Sequence, residues 1–402
     1  MNIFLLPSWY PSARSPMAGG FVLDQVRALA SVRSGPGIVV GVWGHHDGAL
    51  SLRDPADSWR ALRWRLGASE SWRECADGGR RWYEALAPRL SWTLGWARGG
   101  AGGLLRASRR NLDRAFERLG RIDLIHAHVG FPAGWIASVL GAERRIPYLL
   151  TEHMGPFPVR QLMHLGRPND DLRQAFERAA AVVAVSPSLA AAIRDHGLPC
   201  TDVIPNVVDP GRFATAARTR PPPSPFVILS LGALTHGKGM DLLLDAFARW
   251  RPSPAEVRLH IAGDGPERTA LVARAAHLGL GEHVRFLGRL RPDEVPQAMM
   301  QCHAFALASR HETFGVVLAE ALTAGRPVLS TRCGGPQAIV GPEDGLLVEP
   351  ESVSELADGL RELRELARSA DGDAIRARAI ARFGPEAVAA QLLQVYQRVL
   401  RA

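Results

Sequence analysis

The sequence is poor in lysine, in cysteine and in long apolar runs. Of its 402 residues, 48 are lysine or arginine, and Lys238 is the only lysine. The four cysteines form no CxxC pair, which argues against a disulfide framework and a zinc site. We expect them to be reduced and buried. No run of about 18 apolar residues occurs, so no segment is expected to span a membrane.

The first residues, MNIFLLPSWYPS, lack the basic region and the long apolar region of a secretion signal. This favours a cytoplasmic protein. A hydrophobic content of 47% with 22% charged residues excludes the disordered and fibrous classes. The chain is also longer than one ordinary core requires, so two domains are expected.

The net charge of +8 is concentrated in one segment. Residues 53–121 contain fifteen arginines against eight acidic residues, and six of the ten tryptophans. Arginine interleaved with tryptophan is typical of a surface that binds an anionic partner or a membrane. The alternative is that these tryptophans are core residues of arginine-coated helices. The first interpretation predicts peripheral association with the inner face of the membrane.

Short β-rich runs alternate with longer amphipathic runs along the whole chain. The first half contains NIFLL, GIVVGVW, IDLIHAH, PYLLTEH and AVVAVS, and the second half contains FVILSLG, VRLHIAGDG, HVRFLG, AFALAS and PVLST. Strands that alternate with helices predict a parallel sheet covered by helices on both faces. We therefore expect an α/β protein with doubly wound sheets.

A proline-rich stretch, ATAARTRPPPSP, separates the two series of runs and is typical of a linker. We predict a first domain over 1–215 and a second over 216–375. Residues 376–402 are helical in period, and we expect them to return to the first domain. Ligands of such sheets bind beyond the carboxyl ends of the strands, which directs attention to the loops after FVILSLG, RLHIAG and FALAS.

The only lysine lies in LSLGALTHGKG, which nearly matches a Walker phosphate-binding loop. Gly239 stands where that loop needs a serine or threonine to hold Mg²⁺, so a nucleotide triphosphatase is disfavoured. A lysine after a strand and a glycine-bearing loop can still hold phosphate oxygens. The alternative is a solvated lysine at a helix start, but arginine would serve equally well there.

A second signal is HETFGVVLAEALTAG, in which Glu312 and Glu320 are eight residues apart. If Thr313, Phe314 and Gly315 open a helix, the two glutamates lie about 12 Å apart along its axis. A glycosidase carboxylate pair needs roughly 5 to 9.5 Å, so the two cannot act on one bond. They can hold different parts of a long ligand, with the amides of the helix start accepting a diphosphate. The alternative for Glu320 is a buried structural glutamate.

Taken in order, the motifs resemble those of the retaining GT-B glycosyltransferases of family 4. The second half supplies LSLGALTHGKGMDLLLDAF, IAGDGPE, VRFLG, HETFGVVLAEALTAGRPVLSTRCGGP and DGLLVEP, and the first half supplies LPSWYPSARSPMAGGFVLDQVRALA, LIHAH, LLTEH and VIPNVVD. The E-x7-E pair of the family is met by Glu312 and Glu320. The resemblance implies two Rossmann-like domains facing a central cleft, the first on the acceptor side and the second binding a nucleotide sugar.

The resemblance implies a role for each matching residue. Lys238 would neutralise the leaving nucleotide diphosphate, Glu312 would hold hydroxyls of the transferred sugar, and Glu320 would accept hydrogen bonds from the ribose. His153 would contact the sugar from the first domain; the alternative is a structural histidine. Lys238, Glu312 and His153 are therefore the candidate catalytic residues, and none of them is an obvious nucleophile.

The implied donor site combines charged groups with backbone that can approach the ligand closely. Its glycines carry no Cβ that would intrude. The full set is Gly19, Gly20, Gly232, Lys238, Gly265, Phe286, Leu287, Glu312, Thr313, Phe314, Gly315 and Glu320. No metal ligand and no cofactor is expected, and the nucleotide diphosphate sugar is a co-substrate.

The implied activity is transfer of a sugar, with retention of configuration, to a glycan or lipid-linked acceptor in the synthesis of a cell-surface or extracellular glycoconjugate. No nucleic acid partner is expected. Two departures from the family pattern bear on this: Ala233 replaces a common arginine, and Gln337 and Ala338 follow GGP where a glutamate is frequent. The alternatives are a GT-B-type nucleotide-sugar epimerase and a non-catalytic nucleotide-sugar binding protein.

Overall fold

The computed structural model describes two compact units, each with its own parallel sheet. Unit 1 comprises Met1–Val185, Ala190–Val207 and Val388–Ala402, and unit 2 comprises Ser186–Leu189 and Val208–Ala387. The described residues are 1–402 without 13–14, 17, 44–48, 52–54, 68–70, 88–90, 95–96, 100 and 215–223.

The strands are numbered in chain order. They are β1 (Asn2–Pro7), β2 (Gly37–Val42), β3 (Ala49–Ser51), β4 (Ser71–Asp77), β5 (Arg80–Leu86), β6 (Ser91–Leu94), β7 (Ala97–Gly99), β8 (Leu124–His128), β9 (Tyr148–Glu152), β10 (Met163–His164), β11 (Arg167–Pro168), β12 (Ala181–Ala184), β13 (Asp202–Val203), β14 (Phe226–Leu231), β15 (Val257–Ala262), β16 (Val284–Gly288), β17 (Ala304–Leu307), β18 (Val328–Thr331) and β19 (Gly345–Val348).

The α-helices are numbered in the same way. They are α1 (Gly20–Ala30), α2 (Pro55–Gly67), α3 (Ala101–Leu119), α4 (Trp135–Arg144), α5 (Asp170–Glu177), α6 (Pro187–Asp195), α7 (Gly211–Ala214), α8 (Met240–Trp250), α9 (Arg268–His277), α10 (Glu294–Gln301), α11 (Val316–Thr323), α12 (Val353–Ser369), α13 (Gly372–Phe383) and α14 (Pro385–Arg401).

Unit 1 is built on an eight-stranded sheet of order β13-β12-β9-β8-β1-β2-β5-β4. All neighbours pair in parallel except β4 and β5, which form an antiparallel hairpin. Strands β8, β9 and β12 are buried along their whole length, as expected for strands covered on both faces. One core cluster joins residues of α1 and α14 to these strands, among them Val22, Val26, Leu392 and Tyr396.

Unit 2 is built on a six-stranded parallel sheet of order β16-β15-β14-β17-β18-β19. Its apolar cluster joins alternate residues of β14 and β15 to α8, α9 and α12. Parallel strands leave their carboxyl ends at one edge, so the loops after β14 and β17 lie close together. The predicted α/β class with two parallel sheets is confirmed.

The structure of residues 53–121 differs in part from the alternative of arginine-coated helices. The segment contains α2 and α3, but part of it forms the hairpin of β4 and β5. The membrane-binding interpretation stays a prediction. Trp82 on β5 is 5% exposed and belongs to the core, whereas Trp59 is 62% and Trp72 37% exposed. The side chains of Trp64, Trp92 and Trp96 lie outside the described residues, as does most of the predicted linker, at 215–223.

The cysteines are all free, but only two of them are buried. Cys200 and Cys302 are buried, whereas Cys75 and Cys333 are half-buried. The expectation of burial is therefore wrong for Cys75, because its strand β4 is an edge strand with mostly exposed residues, and for Cys333. The described helices include no candidate for a membrane-spanning segment.

The polypeptide passes from unit 1 to unit 2 between residues 207 and 208, whereas the predicted boundary lies between 215 and 216. The chain re-enters unit 1 at Val388, within α14, rather than at 376. Helix α13, which the sequence analysis grouped with the returning tail, belongs to unit 2. Its residues pack on α11, and the backbone N–H of Val208 donates to the carbonyl of Phe383 at 2.8 Å.

Candidate functional site

The loop that carries Lys238 is held against the end of β17 by a glycine. After β14 the chain forms a 3-10 turn over His236–Lys238, and α8 begins immediately after Gly239. Gly239 has φ of 61°, and a Cβ atom there would lie 1.9 Å from the carbonyl oxygen of Ala308. Only glycine permits this approach. Gly239 therefore places the lysine beside the loop that leads to Glu312.

Lys238 and Glu312 form an ion pair in unit 2. Nζ of Lys238 lies 2.5 Å from Oε1 of Glu312, and Oγ of Ser309 donates to the same oxygen at 2.7 Å. Glu312 is 8% exposed, whereas the lysine side chain is 30% exposed. The buried carboxylate is therefore compensated by a cation that solvent still reaches. Among the described contacts none involves Oε2, so this oxygen is left to accept hydrogen bonds from a ligand.

Arg310 stabilises the loops that carry Lys238 and Glu312. Sequence reasoning missed this residue. Its guanidinium makes two hydrogen bonds of 2.8 Å to the carboxylate of Asp241, one of 2.7 Å to the carbonyl of His236 and one of 2.7 Å to Glu351. Its backbone N–H donates to Gly237 at 2.9 Å. The hydrogen bonds to Arg310 hold the pKa of Asp241 below its usual range. Arg310 thus ties the loop of Lys238 to the loop of Glu312.

Helix α11 begins at Val316, one residue later than the predicted opening over 313–315. Gly315 precedes it with φ of 97°, and the carbonyl of Thr313 accepts a hydrogen bond from Ser186 at 2.5 Å. Within the described part of the chain, no hydrogen bond is made by the backbone N–H groups of Phe314 and Gly315. These are the unpaired donors of a helix start, which favour a bound anion.

The GGP segment lies against the same helix start. A Cβ at Gly335 would lie 2.3 Å from the carbonyl oxygen of Phe314, and the N–H of Gly335 donates to the carbonyl of Glu312 at 2.7 Å. The side chain of Gln337 accepts a hydrogen bond from the N–H of Gly334 at 2.8 Å. Gln337, which departs from the family pattern, therefore stabilises the turn of the GGP segment through its own side chain.

Glu320 is paired with Arg212, a second residue that sequence reasoning missed. It lies inside α11, is 7% exposed, and its Oε1 accepts a hydrogen bond of 2.9 Å from Nη1 of Arg212. Arg212 belongs to α7, one of 47 arginines with no spacing that marks it. The ion pair allows a carboxylate to remain charged among the apolar residues of α11.

The remaining predicted residues of unit 2 are glycines and apolar positions. At Gly265 a Cβ would lie 2.4 Å from the carbonyl oxygen of Leu234, whereas Gly232 has room for one, 3.8 Å from the Lys238 side chain. Phe286 packs against the core cluster and Leu287 is half-buried on β16. The side chain of Phe286 is therefore used in packing, which leaves its backbone for any ligand contact.

In unit 1, two predicted glycines open helix α1. Gly19 has φ of 66°, and a Cβ there would lie 2.2 Å from the carbonyl oxygen of Trp9. Gly20 has no heavy atom within 4 Å of a built Cβ, so the space beside it is open. The glycines therefore serve different purposes: Gly19 permits a close turn, and Gly20 leaves backbone accessible.

His153 follows β9, is half-buried and lies beside the buried His128. Its Nε2 lies 2.9 Å from Nδ1 of His128, and its ring stacks near Phe21 at 4.4 Å between centroids. Glu152 accepts hydrogen bonds from the backbone N–H groups of Gly130, His153 and Met154 at 2.8 to 2.9 Å, which fixes the turn that presents His153.

Burial keeps these histidines neutral. Desolvation lowers the pKa of His153 to about 3, with Asn206 opposing the shift, and lowers the pKa of His126 to about 3. Burial also lowers the pKa of His128 well below its ordinary value, and the neighbouring histidines act in the same direction. At neutral pH each ring therefore carries one proton.

The predicted residues thus fall into two groups. Lys238, Glu312, Phe314 and Gly315 come together in unit 2, with Glu320 further along the same helix, whereas Gly19, Gly20 and His153 belong to unit 1. Among the described residues no group of histidine, cysteine or acidic side chains has the arrangement of a metal site.

Two family models match consecutive parts of the chain. Residues 75–212 match Glycosyltransferase Family 4, and residues 212–378 match Glycosyl transferases group 1. The glycogen synthase of Mycobacterium tuberculosis is 30% identical over 324 residues, which cover 76% of this chain and 75% of that protein. The chain therefore belongs to the family 4, or group 1, glycosyltransferases.

Solved structures of similar fold agree with this assignment. Sucrose-phosphate synthase from Thermosynechococcus elongatus has a TM-score of 0.70 at 21% identity, with both chains covered completely. HepE of Anabaena, solved in complex with UDP, has a TM-score of 0.68 at 21% identity, with 99% of this chain and 100% of that chain covered. The predicted GT-B fold and the predicted family are confirmed.

Proposed function

We propose that this glycosyltransferase moves a sugar from a nucleotide diphosphate sugar to a glycan or lipid-linked acceptor, with retention of configuration and without a required divalent metal. The observation that carries the proposal is the Lys238–Glu312 pair beside the unpaired amides of Phe314 and Gly315. A cation and two backbone donors at one place suit a diphosphate, and a carboxylate beside them suits sugar hydroxyls.

The donor reaction follows from this chemistry. The bond between the sugar C1 and the diphosphate oxygen breaks while the acceptor hydroxyl oxygen bonds to C1 and its proton passes to the leaving diphosphate. Negative charge then develops on the leaving diphosphate, and Lys238 with the two amides stabilises it through preorganised hydrogen bonds. Glu312 holds Lys238 in place before the donor binds, and its Oε2 accepts hydrogen bonds from the transferred sugar.

Glu320 recognises the ribose in this proposal. Arg212 occupies Oε1 and holds the carboxylate in its charged form, so that it can accept hydrogen bonds from the ribose hydroxyls. Gly19 and Gly20 supply accessible backbone in unit 1, and His153 contributes a hydrogen bond to a substrate hydroxyl. HepE, which has the same fold, is solved in complex with UDP, which supports a nucleotide diphosphate as the ligand.

A thermal-shift panel tests the donor and the metal requirement together. Nucleoside diphosphates of each base and their common sugars are added to the protein, with and without chelator. We expect one of them to stabilise the protein by about 2.7 kcal/mol at one hundred times its Kd, and the stabilisation to survive the chelator. The proposal fails if none of them stabilises the protein, or if stabilisation appears only with a divalent cation.

Retention is tested on the product. Incubation of donor and acceptor followed by proton NMR of the new linkage should show the anomeric configuration of the donor. The opposite configuration would overturn this part of the proposal and leave the donor site standing.

We further propose that an acceptor is presented at an anionic membrane surface. Trp59 and Trp72 are the exposed tryptophans among those described in the segment 53–121, which has an excess of arginine. Arginine and tryptophan together favour the headgroup region of a bilayer. Sedimentation with phosphatidylserine vesicles should decrease as salt rises; no sedimentation at low salt removes this proposal.

A non-catalytic nucleotide-sugar binding protein is the second candidate, and Ala233 favours it. This residue stands where the family commonly has an arginine, it is exposed, and its side chain can bind no phosphate. The second candidate predicts the thermal shift without turnover. Release of free nucleoside diphosphate on addition of a panel of glycan and lipid-linked acceptors distinguishes the two, because only an enzyme releases it.

A further inference from the structure

We infer that Gln25 and His128 are positioning residues that fix the tautomer of His153, so that His153 presents a proton on Nδ1 to the substrate. The inference concerns one end of the proposed site and rests on the proposed function. The three side chains form a chain of contacts inside unit 1 that leads from helix α1 through strand β8 to the turn after β9.

The direction of the contacts follows from the first donor. Gln25 is 5% exposed, and its amide nitrogen Nε2 lies 3.4 Å from Nε2 of His128. With the amide of Gln25 oriented so that its NH₂ group faces the ring, this nitrogen of His128 accepts, because an NH₂ group only donates. The single proton of the neutral His128 ring is therefore on Nδ1.

The same reasoning passes to the next ring. Nδ1 of His128 lies 2.9 Å from Nε2 of His153 and donates to it. His153 then accepts at Nε2, and its single proton is on Nδ1. The neutral state of both rings, which burial imposes, is what makes one tautomer dictate the other. A doubly protonated ring would transmit no such preference.

The series of contacts from Gln25 through His128 ends at Nδ1 of His153, and this atom is the one that a ligand would satisfy. Nδ1 of His153 is a buried polar atom that makes no hydrogen bond of full geometry with the described residues; the side chain of Asn206 interacts with the ring and opposes the lowering of its pKa by burial, without satisfying that geometry. A buried donor without a partner costs about 1–3 kcal/mol. The contact with Phe21 holds the plane of the ring. An N–H in this position is suited to a substrate hydroxyl oxygen, which would satisfy it.

His126 shows by contrast what a structural histidine looks like. It lies two residues before His128 on the same strand, and both of its ring nitrogens have partners: the hydroxyl of Tyr396 at 2.7 Å and that of Thr151 at 2.8 Å. Hydroxyl groups donate or accept equally well, so they fix no tautomer. His126 packs beside His128 at 4.3 Å between ring centroids and takes no part in the chain of contacts.

The tautomers can be measured directly in the full chain. Two-bond ¹⁵N–¹H correlation spectra of the protein labelled with ¹⁵N-histidine distinguish a proton on Nδ1 from one on Nε2. His128→Asn and His153→Asn assign the two signals. We expect both rings to carry the proton on Nδ1 in the unmodified protein. A proton on Nε2 of His153 overturns the inference, and the tautomers are read on the unmodified protein, with the two variants used only to assign its signals.

Gln25→Met tests whether Gln25 is the cause. Methionine keeps the length of the side chain and removes the amide, so we expect the Nε2 tautomer to appear at His128 and His153. Gln174→Met is the matched control, because Gln174 donates to Ser138 at 2.8 Å in the same unit and far from the histidines in sequence. Unchanged tautomers in Gln25→Met, or an equal change in Gln174→Met, would contradict the assignment of Gln25.

Kinetics connect the tautomer to the proposed reaction. In Gln25→Met we expect kcat to fall by about tenfold, less than the 10²–10³-fold that follows complete loss of a transition-state donor. The KM for the donor should change little, because unit 2 holds the diphosphate. If even the unmodified protein transfers no sugar, the proposed function fails while the tautomer measurement stands. If it transfers sugar with His153 protonated on Nε2, only this inference fails.

Discussion

In unit 2 the candidate site consists of charges that compensate one another, whereas in unit 1 it consists of neutral rings. Lys238 is paired with Glu312, Arg310 with Asp241, and Arg212 with Glu320. Lys238 and Arg212 are more exposed than the carboxylates that they pair with, so a charged ligand can compete for these two cations. A diphosphate brings charge of its own, and a site of this kind can exchange one partner for another.

Among the described residues of unit 1, His153 forms no ion pair of this kind. The rings of His126 and His128 are buried and that of His153 is half-buried, and desolvation holds the pKa values of all three below the ordinary value. A neutral ring can direct a hydrogen bond to a sugar hydroxyl without attracting the diphosphate. The difference teaches that the candidate residues of unit 2 suit a charged ligand group, whereas the histidines of unit 1 suit a neutral one.

The largest expected effect is a loss of folding stability at acid pH, and it comes from the histidines of unit 1. The folded-state pKa values of His126 and His153 are about 3, below the unfolded value of about 6.5, so the contribution of each to stability is complete above pH 6.5 and is lost as the pH falls toward 3. At about pH 5 this amounts to roughly 2 kcal/mol per histidine. Denaturant unfolding at several pH values should show the loss.

The ion pairs of unit 2 respond in a different window. The pKa of Asp241 is lowered, so its contribution is present above about pH 4 and is lost only below that value. Glu152, whose pKa burial raises, gains a proton in the folded state and offsets part of the loss in unit 1. His126→Gln should reduce the pH dependence by about one proton. A free energy of unfolding that is constant between pH 7.5 and 4.5 would contradict the buried neutral rings.

The next largest effect is expected on kcat when the cation of Lys238 is removed. Lys238→Ala should lower kcat by about 10²–10³-fold, or about 2.7–4 kcal/mol, because the leaving diphosphate loses a preorganised donor. The measurement is steady-state release of nucleoside diphosphate. Arg249→Ala is the control, since Arg249 is an exposed basic residue on helix α8, which follows the same loop. Equal rates in Lys238→Ala and the unmodified protein would refute the role of Lys238.

A smaller effect is expected from the residue that joins the two loops. Arg310→Ala removes the paired hydrogen bonds to Asp241 and the contact with His236, which should destabilise unit 2 by about 2 kcal/mol and misplace Lys238. Urea unfolding and kcat are measured on the same preparation. Arg310→Lys keeps the charge without the paired geometry and should recover only part of both losses. Full recovery by lysine would show that charge alone matters.

The smallest effect concerns the ribose end. Arg212→Ala should raise the KM of the donor by about fivefold, close to 1 kcal/mol, and leave kcat nearly unchanged, because Arg212 acts through Glu320 and far from the bond that breaks. Michaelis kinetics with varied donor measure it, again with Arg249→Ala beside it. A fall in kcat with constant KM would place Arg212 in a different role.

Local pattern predicted the alternating strands and helices of the two main sheets, but not the β4–β5 hairpin. The strand before Lys238 and the helix after it follow from FVILSLG and MDLLLDAFARW, and Gly239 was recognised as the position where a Walker loop fails. The close approach of Gly239 to Ala308 could not be predicted, because it depends on how β14 and β17 pair. The contact between Lys238 and Glu312, 74 residues apart, depends on the same pairing.

The residues that were missed have partners distant in sequence. Arg212 and Arg310 are two among 47 arginines, and their importance comes from carboxylates that tertiary structure brings to them. Gln25 contacts His128 across 103 positions. The β4–β5 hairpin could have been predicted from the sequence. Asp77, Gly78 and Gly79 join two strand-like runs and are typical of a tight turn.

The scarcity of lysine has a practical consequence for chemistry on the intact protein. Apart from the amino terminus, the only primary amine in the sequence is Nζ of Lys238, and its side chain is 30% exposed. An amine-acylating reagent therefore modifies a single side chain besides the terminal amine, and the mass of the peptide that contains Lys238 reports directly on that one position. Protection by a bound ligand becomes a count of occupied molecules, with no fluorophore, radiolabel or engineered residue.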